Sequence, residues 1–428
     1  MSALQKAVVF IYAADSRHRT TLLAAIIALT ASFIVIPAAP AQTFTVLHTF
    51  TGGGDGSNPA AGLTMDRGGS LYGTAGGFGG SGGWGSVFKL SHVGAGWVLS
   101  TLYTFQGGTD GQMPESRVIF GPDGTLYGTT NGGGSSENGM VYNLRPRATF
   151  CPTIGCPWIK TVLYSFQGGM DGAVPGPSDL TFDSAGNIYG TTTSGGGLGE
   201  PGTVFELSRS SGQWMEQILY RFTGLNGDGS YPIGGVIFDP AGNLYGTTAS
   251  GGGVLSAGTA YQLQFSGGTW NENRIYGFGL NASNPSGGFI FDQQGNLYGE
   301  TNSNGVQNHG GTVYELQPNN GNWTEQVLGV IGIGPRGTPT MDAAGNLYVA
   351  QTDNEHGDHG SIFKLSPGPN GWTSTNLYHF TGGSDGSFPL GTLLLDAHGN
   401  IYGVTQYGGH FDQENCVFGC GVVWMITP

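Results

Sequence analysis

The sequence predicts an all-β protein, a seven-bladed β-propeller with four strands per blade. Three observations carry that prediction: one motif recurs at near-constant spacing, each recurrence holds four short strand-like runs, and the two ends of the repeat region complement each other. The motif is clearest as "FDPAGNLYGTTASGGG" at 238–253, with close copies at 182–197, 291–305 and 395–409. Aligned on the tyrosine of "LYGT", it falls at Tyr72, Tyr127, Tyr189, Tyr245, Tyr298, Tyr348 and Tyr402, at spacings of 50 to 62 residues and about 55 on average. Fixed periods of this size indicate stacked structural repeats.

The four runs of the third repeat are "DLTFD" (179–183), "NIYGTT" (187–192), "TVFEL" (203–207) and "ILYRF" (218–222). Each is short, rich in β-branched and aromatic residues, and bounded by Gly, Asn or Asp, which are strand signals. No stretch of ten or more residues after residue 41 has a helical apolar period. The first two runs are joined by D-x-x-G-N, opened by Asp183, Asp239, Asp292, Asp342 and Asp396, with "DRGGS" from Asp66 as a variant. This is hairpin chemistry, in which glycine takes positive φ and the carboxylate accepts from turn N–H groups. Pro59, Pro114, Pro175, Pro232, Pro285, Pro335 and Pro389 precede the hairpins by seven or eight residues. Asp-Gly stands four residues before most of them, at Asp55, Asp110, Asp171, Asp228 and Asp385, with Ile331 in that place in the sixth repeat. These mark the handover from blade to blade. In "NLYGTT" large and small residues alternate on both faces, as close packing between blades requires. The polar fourth position of the third strand (Lys89, Glu206, Glu315) is expected near the solvent rim.

The ends follow from this register. "FTVLHTF" (44–50) matches a fourth strand, whereas the seventh repeat closes with "VVWMI" (422–426), which matches a third. The N-terminal strand is therefore expected to complete the last blade and close the ring, so that 42–428 form one propeller.

Residues 1–41 read as a signal peptide, with Lys6, Arg17 and Arg19 before an apolar run that ends in Ala39-Pro40-Ala41. The long n-region leaves an uncleaved membrane anchor as the alternative. Without this segment the chain keeps 11 Lys+Arg against 27 Asp+Glu, a net charge of −16 that disfavours nucleic acid and anionic lipid as partners. The expected location is secreted, extracellular or periplasmic, and the expected state is a monomer. In an exported chain the local pairs Cys151/Cys156 and Cys416/Cys420 read as disulfides, and the loop order puts them on opposite faces, which argues against a four-cysteine metal site.

"GNLYGTT", the Gly-rich loop and "GTVFEL", in that order, resemble the GloVer tandem repeat of choice-of-anchor bacterial secreted proteins. The resemblance covers nearly all of 44–426. It implies export followed by a variable surface anchor, and brings no catalytic residues. The chain departs from it in carrying no sorting segment before Pro428.

One cluster stands above the repeat background. The second-to-third loops of blades five, six and seven carry "NSNGVQNHGG", "TDNEHGDHGS" and "YGGHFDQENC". His356, His359, His410, Asp358 and Asp412 are the candidate ligands for a divalent metal, with His309, Asp353, Glu355 and Glu414 nearby in sequence. No H-x-H or H-E-x-x-H spacing fixes a geometry there, so loop polarity on an acidic protein is the plainer account. "GGSGG" at 79–83 fits G-x-S-x-G without the strand–turn–helix context that Ser81 would need as a nucleophile. Two functional readings result. The first is a non-catalytic scaffold or recognition module for an extracellular glycan or protein, with no cofactor. The alternative is a lactonase- or polysaccharide-lyase-like propeller enzyme with a metal on the loop face of blades five to seven.

Overall fold

The computed structural model describes residues 42–428 apart from 78–82, 148–157, 198, 254, 304–309, 333, 335–336, 353–357 and 412–415. The unit Thr43–Thr427 holds seven antiparallel blades in a ring, each with its strands in the order of the chain from the axis outward. The third blade is typical: Thr181–Phe182, Ile188–Thr192, Thr203–Ser210 and Gln213–Arg221. The seventh runs Ser387–Leu395, Ile401–Tyr407, Val422–Thr427 and then Thr43–Thr49, so the N-terminal strand is its outermost member. Among the described residues no helix is long and apolar enough to cross a membrane.

The closing strand is equivalent to its counterparts down to an irregularity. In each blade the outermost pair carries a one-residue bulge that leaves a leucine or isoleucine unpaired. This residue is Leu102 in the first blade, Leu219 in the third and Leu328 in the fifth. The pair Thr43–Thr49/Val422–Thr427 bulges at Leu47 in the same way. The bulge turns that side chain toward the core, and all four of these leucines are buried.

Blades hold one another through two repeated contacts. The aromatic residue at the end of each outermost strand meets a ring on the third strand of the next blade, edge to face. The pairs are Phe50–Phe88, Phe105–Tyr142, Phe166–Phe205, Phe222–Tyr261, Phe278–Tyr314 and Phe380–Trp424, with centroids 4.9 to 5.7 Å apart. The glycine of "LYG" makes room for the third-strand ring, and a Cβ on Gly246 would collide with the Tyr261 hydroxyl. The second contact explains the recurrent proline. Gly85, Gly139, Gly202, Gly258, Gly360 and Gly421 precede a third strand at φ of +85 to +100°, where any Cβ would run into the next blade's Pro114, Pro175, Pro232, Pro285, Pro389 or Pro59.

The interface between the fifth and sixth blades departs from this pattern as a set. Val349 takes the glycine's place, Phe363 is only half-buried, and Ile331 takes the place of the terminal aromatic residue. Ile331 thus belongs to the outermost strand of blade five, pairing with Gly311. It does not occupy a handover turn as its distance from Pro335 suggested, because the connection that follows it is shortened.

The turn carboxylates act as the sequence implies and carry more bonds than a turn needs. Asp239 Oδ1 accepts from the backbone of Ala241 and Asn243, while Oδ2 accepts from the Asn243 amide and the Tyr245 hydroxyl. In the second blade, where Gly121 replaces the opening aspartate, Asp123 accepts from Tyr127 at 3.0 Å. Glu315 corrects one expectation. It is buried, not at the solvent rim, and its carboxylate accepts from the Tyr298 hydroxyl at 2.8 Å across the strand pair.

Candidate functional site

The handover loops and the second-to-third loops share one face. They pair directly: Gly172–Ala173 with Ser194–Gly195, Gly229–Ser230 with Ser250–Gly251, and Gln112 with Gly132. The handover aspartates are consumed in shaping this face. Asp171 accepts from Tyr164, Gln167 N and Gly172 N, and Asp385 from Tyr378, Thr381 N and Thr381 Oγ1.

Two features of the face are not structural repeats. The first is a rim of exposed apolar side chains. Of the fifteen large hydrophobic residues exposed among the described residues, nine lie in these two sets of loops. Leu225, Tyr231 and Leu280 stand in handover segments, and Trp84, Leu255 and Phe418 in second-to-third loops, with Met170, Phe411 and Val417 beside them.

The second is the central channel, a cavity of about 700 Å³ walled by the innermost strands. Three residues after the repeat proline the wall carries Gly62, Gly235, Gly288, Thr338 and Thr392, but Arg117 in the second blade. The third blade presents Asp179 at the same level, after one inserted residue. Arg117 Nη2 donates to Asp179 Oδ2 at 2.5 Å, while its buried Nε has no partner. At the mouth the Asn131 amide donates to Glu115, and Ser286 and Asn302 line the cavity with Ser286 Oγ and Asn302 Oδ1 buried and unpartnered. Behind Ser286, which donates its backbone N–H to the Glu300 carbonyl, Glu300 stands where other blades have Thr74, Thr191 and Thr247. Those threonines donate to carbonyls of the next blade, whereas Glu300 is 2% exposed with Oε2 unpartnered, and burial holds its carboxyl well above the usual range.

Of the histidine-loop residues, Asp358, His359 and His410 are described, and His356, Asp412, His309, Asp353, Glu355 and Glu414 lie outside the described residues. The Asp358 carboxylate lies 3.8 Å from His379 Nε2. The His359 ring lies against Gly382 in the next handover loop, and its carbonyl accepts from Phe388. The His410 carbonyl accepts from Cys420, inside the loop that the Cys416–Cys420 disulfide closes. Among the described residues no three His, Cys, Asp or Glu side chains group closely enough to hold a metal. Cys151, Cys156 and Ser81 lie outside the described residues. Sequence reasoning missed the channel residues. The signal was available in the repeat columns, where Arg117, Asp179 and Glu300 replace Gly or Thr.

The face also carries a titrating array. One outer-strand position reaches back to the preceding blade's handover loop. There Lys160 of the second blade donates to Asp110 at 2.6 Å, but the third and fourth blades have Glu216 and Glu272. Burial, then the Asp171 charge, push Glu216 up to about 7 against the opposing Arg221. Burial, then Asp228, do the same to Glu272, with Arg274 opposing.

The chain belongs to the Gloeobacter/Verrucomicrobia repeat family, whose repeat matches residues 34–200 and 176–418. Three solved structures similar to it share 11 to 15% identity. A protein of unknown function from Dyadobacter fermentans has a TM-score of 0.45 at 11% identity, covering 91% of this chain and 99% of its own. A proposed oxidoreductase (glucose dehydrogenase) from Thermus thermophilus has 0.43 at 15%, covering 90% and 99%. A proposed 6-phosphogluconolactonase from Bacteroides uniformis has 0.49 at 14%, covering 84% and 99%. No curated protein matches the chain.

The carboxyl pairs give a signed pH dependence. Glu216 and Glu272 bind protons more tightly folded than unfolded, so their contribution is full below about 4.5 and lost as pH rises through about 7. Asp342 and Asp396 act in the opposite sense. Burial raises them, but bonds led by those from Asn346 and Asn400 outweigh it and hold both below 3.8, so their contribution is lost on acidification. Thermal stability should therefore peak between these ranges, and Glu216→Gln/Glu272→Gln should flatten the fall toward neutral pH. Melting curves taken from acid to mildly alkaline pH check this; an unchanged fall in the double variant would assign it elsewhere.

Proposed function

We propose that this protein is an exported recognition module that binds a partner through the loop-rich face. The apolar rim carries the reading. A monomeric soluble protein seldom exposes large apolar side chains gathered on one face unless that face is covered in use, and a protein partner suits such a surface better than a glycan. Export is supported by the n-region, apolar run and Ala39-Pro40-Ala41 of residues 1–41 and by the Cys416–Cys420 disulfide, which suits an oxidising compartment. The test is binding of the purified protein to envelope preparations of the producing organism. The Leu225→Asp/Leu280→Asp variant should lose at least tenfold in binding with an unchanged melting temperature, since both side chains are exposed. Equal binding by parent and variant would rule out the rim.

The second reading, a metal-dependent hydrolase or lyase, is favoured by one observation: Asp358, His359 and His410 stand in loops of adjacent blades on this same face. A metal that binds only the folded state stabilises it by about 2.7 kcal/mol at a hundredfold excess over its dissociation constant. Zn²⁺, Mn²⁺ or Ca²⁺ should then raise the melting temperature of EDTA-treated protein, and His356→Ala/His359→Ala/His410→Ala should abolish the rise. No shift with any of the three ions would leave these histidines as ordinary loop residues.

A further inference from the structure

We propose that the interface between the fifth and sixth blades is an opening seam of the ring, where two folded blades part locally more readily than other pairs, and that Glu300 sets how readily they do so. The seam lies away from the join that Thr43–Thr49 makes in the seventh blade. It lacks the contacts that seat the other blades. Ile331 replaces the terminal aromatic residue, so the edge-to-face pair of the other six interfaces is missing. Gly311 stands where Gly202 and Gly258 meet the next blade's proline, yet it pairs with Ile331 and donates to the Gly332 carbonyl instead. Gly329 stands where Tyr103, Tyr164 and Tyr378 donate to handover aspartates, and no aspartate follows it before Pro335. What holds the seam among the described residues is mainly aliphatic, with Val313, Leu328 and Ile331 of the fifth blade against Leu347, Val349 and Leu365 of the sixth. Tyr298 meets Trp372 at 6.2 Å, and Gly288 N donates to Thr338 Oγ1 at 3.1 Å. Regions with fewer specific contacts open locally at lower cost than the whole fold.

Glu300 adds a cost to keeping the seam shut. At its position Thr74, Thr191 and Thr247 donate to carbonyls of the next blade. Glu300 faces the same way, since it pairs with Val313, whose side chain joins the cluster shared with the sixth blade. It is 2% exposed, and its Oε2 is sealed without a partner. An ionised carboxylate is not held in such a place unpaired, so the closed seam keeps the neutral acid. Among the described residues burial alone acts on its proton. Tyr314, whose buried hydroxyl also lacks a partner, is the titratable group that feels its charge, together with that of Glu325 on the outermost strand. Arg336, in the connection to the sixth blade, lies outside the described residues. Parting the blades hydrates the carboxyl and lets it ionise. Because the group binds its proton more tightly closed than open, its contribution to closure is full at low pH and lost as pH rises. Opening there separates Gly288 from Thr338, both in the channel wall, and so gives access to the channel from one side. The seam uses none of the rim residues on which the recognition reading rests.

The experiment is thiol labelling of the folded protein. Val87, Val204 and Val313 hold one repeat position in the first, third and fifth blades, and all three are fully buried. Val87→Cys, Val204→Cys and Val313→Cys are made singly and labelled with iodoacetamide without denaturant, and the modified peptide is quantified by mass spectrometry so that native cysteines do not interfere. Val349→Cys samples the seam from the sixth blade. The thiols of Val313→Cys and Val349→Cys should be labelled at least tenfold faster than those of Val87→Cys and Val204→Cys. The ratio of Val313→Cys to Val204→Cys, in which thiol ionisation cancels, should grow from mildly acidic to mildly alkaline pH. Glu300→Thr, which restores the residue of the regular blades, should lower that ratio at least threefold and remove its pH dependence, and Glu300→Gln, of the same shape, should remove the pH dependence too. Equal labelling at all four sites would overturn the proposal, since the ring would then open only by unfolding as a whole. So would faster labelling of Val87→Cys or Val204→Cys, or a ratio that falls as pH rises or is unmoved by both Glu300 variants.

Discussion

Everything in this fold depends on how one blade seats the next. A blade of four short strands cannot bury both of its faces, and its stability comes from the neighbour that covers it. The seating is done by the third-strand ring lying over the glycine of "LYG", where the terminal aromatic residue of the preceding blade meets it edge to face. Aromatic contacts of this kind contribute about 0.5–1.5 kcal/mol beyond burial, and this one recurs at six of the seven interfaces. The Pro-against-Gly contact fixes the same interface nearer the loop face. Because each blade depends on the next, the ring must close, and the strand Thr43–Thr49 does so with the same bulge and the same terminal Phe as the others.

This economy explains why so much of the fold was legible. Each seating contact is local to a repeat position and written at six of the seven interfaces, so the tyrosines, turn aspartates, prolines and both ends of the ring could be placed from spacing alone. Legibility failed where a contact crosses between strands or blades. Glu315 reads as a polar residue in an alternating strand, and its bond from the Tyr298 hydroxyl on the facing strand is not visible in that pattern. Ile331 reads as a degenerate turn residue until the pairing with Gly311 puts it in a strand. Arg117 and Asp179 are 62 residues apart, and their meeting requires the curvature of the ring.

The departures from the repeat matter more for function than the repeat does. A residue written seven times maintains the scaffold. Arg117, Asp179 and Glu300 stand where the repeat has Gly or Thr, and all lie in or directly behind the channel wall. The altered interface between blades five and six sits beside Glu300, so the least regular part of the ring adjoins its most unusual buried acid. The loop face adds the apolar rim. A uniform ring thus presents a non-uniform face, which is what selective binding needs.

The most direct test of this account is the thermal and urea stability of a chain that begins at residue 52 and so lacks the closing strand. Without it Trp424 and Val422 on one side and Phe88 on the other lose their cover. The account predicts that this chain aggregates, or unfolds at a much lower temperature and denaturant concentration across the whole ring. A cooperative transition at the same midpoint as the chain that retains Thr43–Thr49 would contradict it.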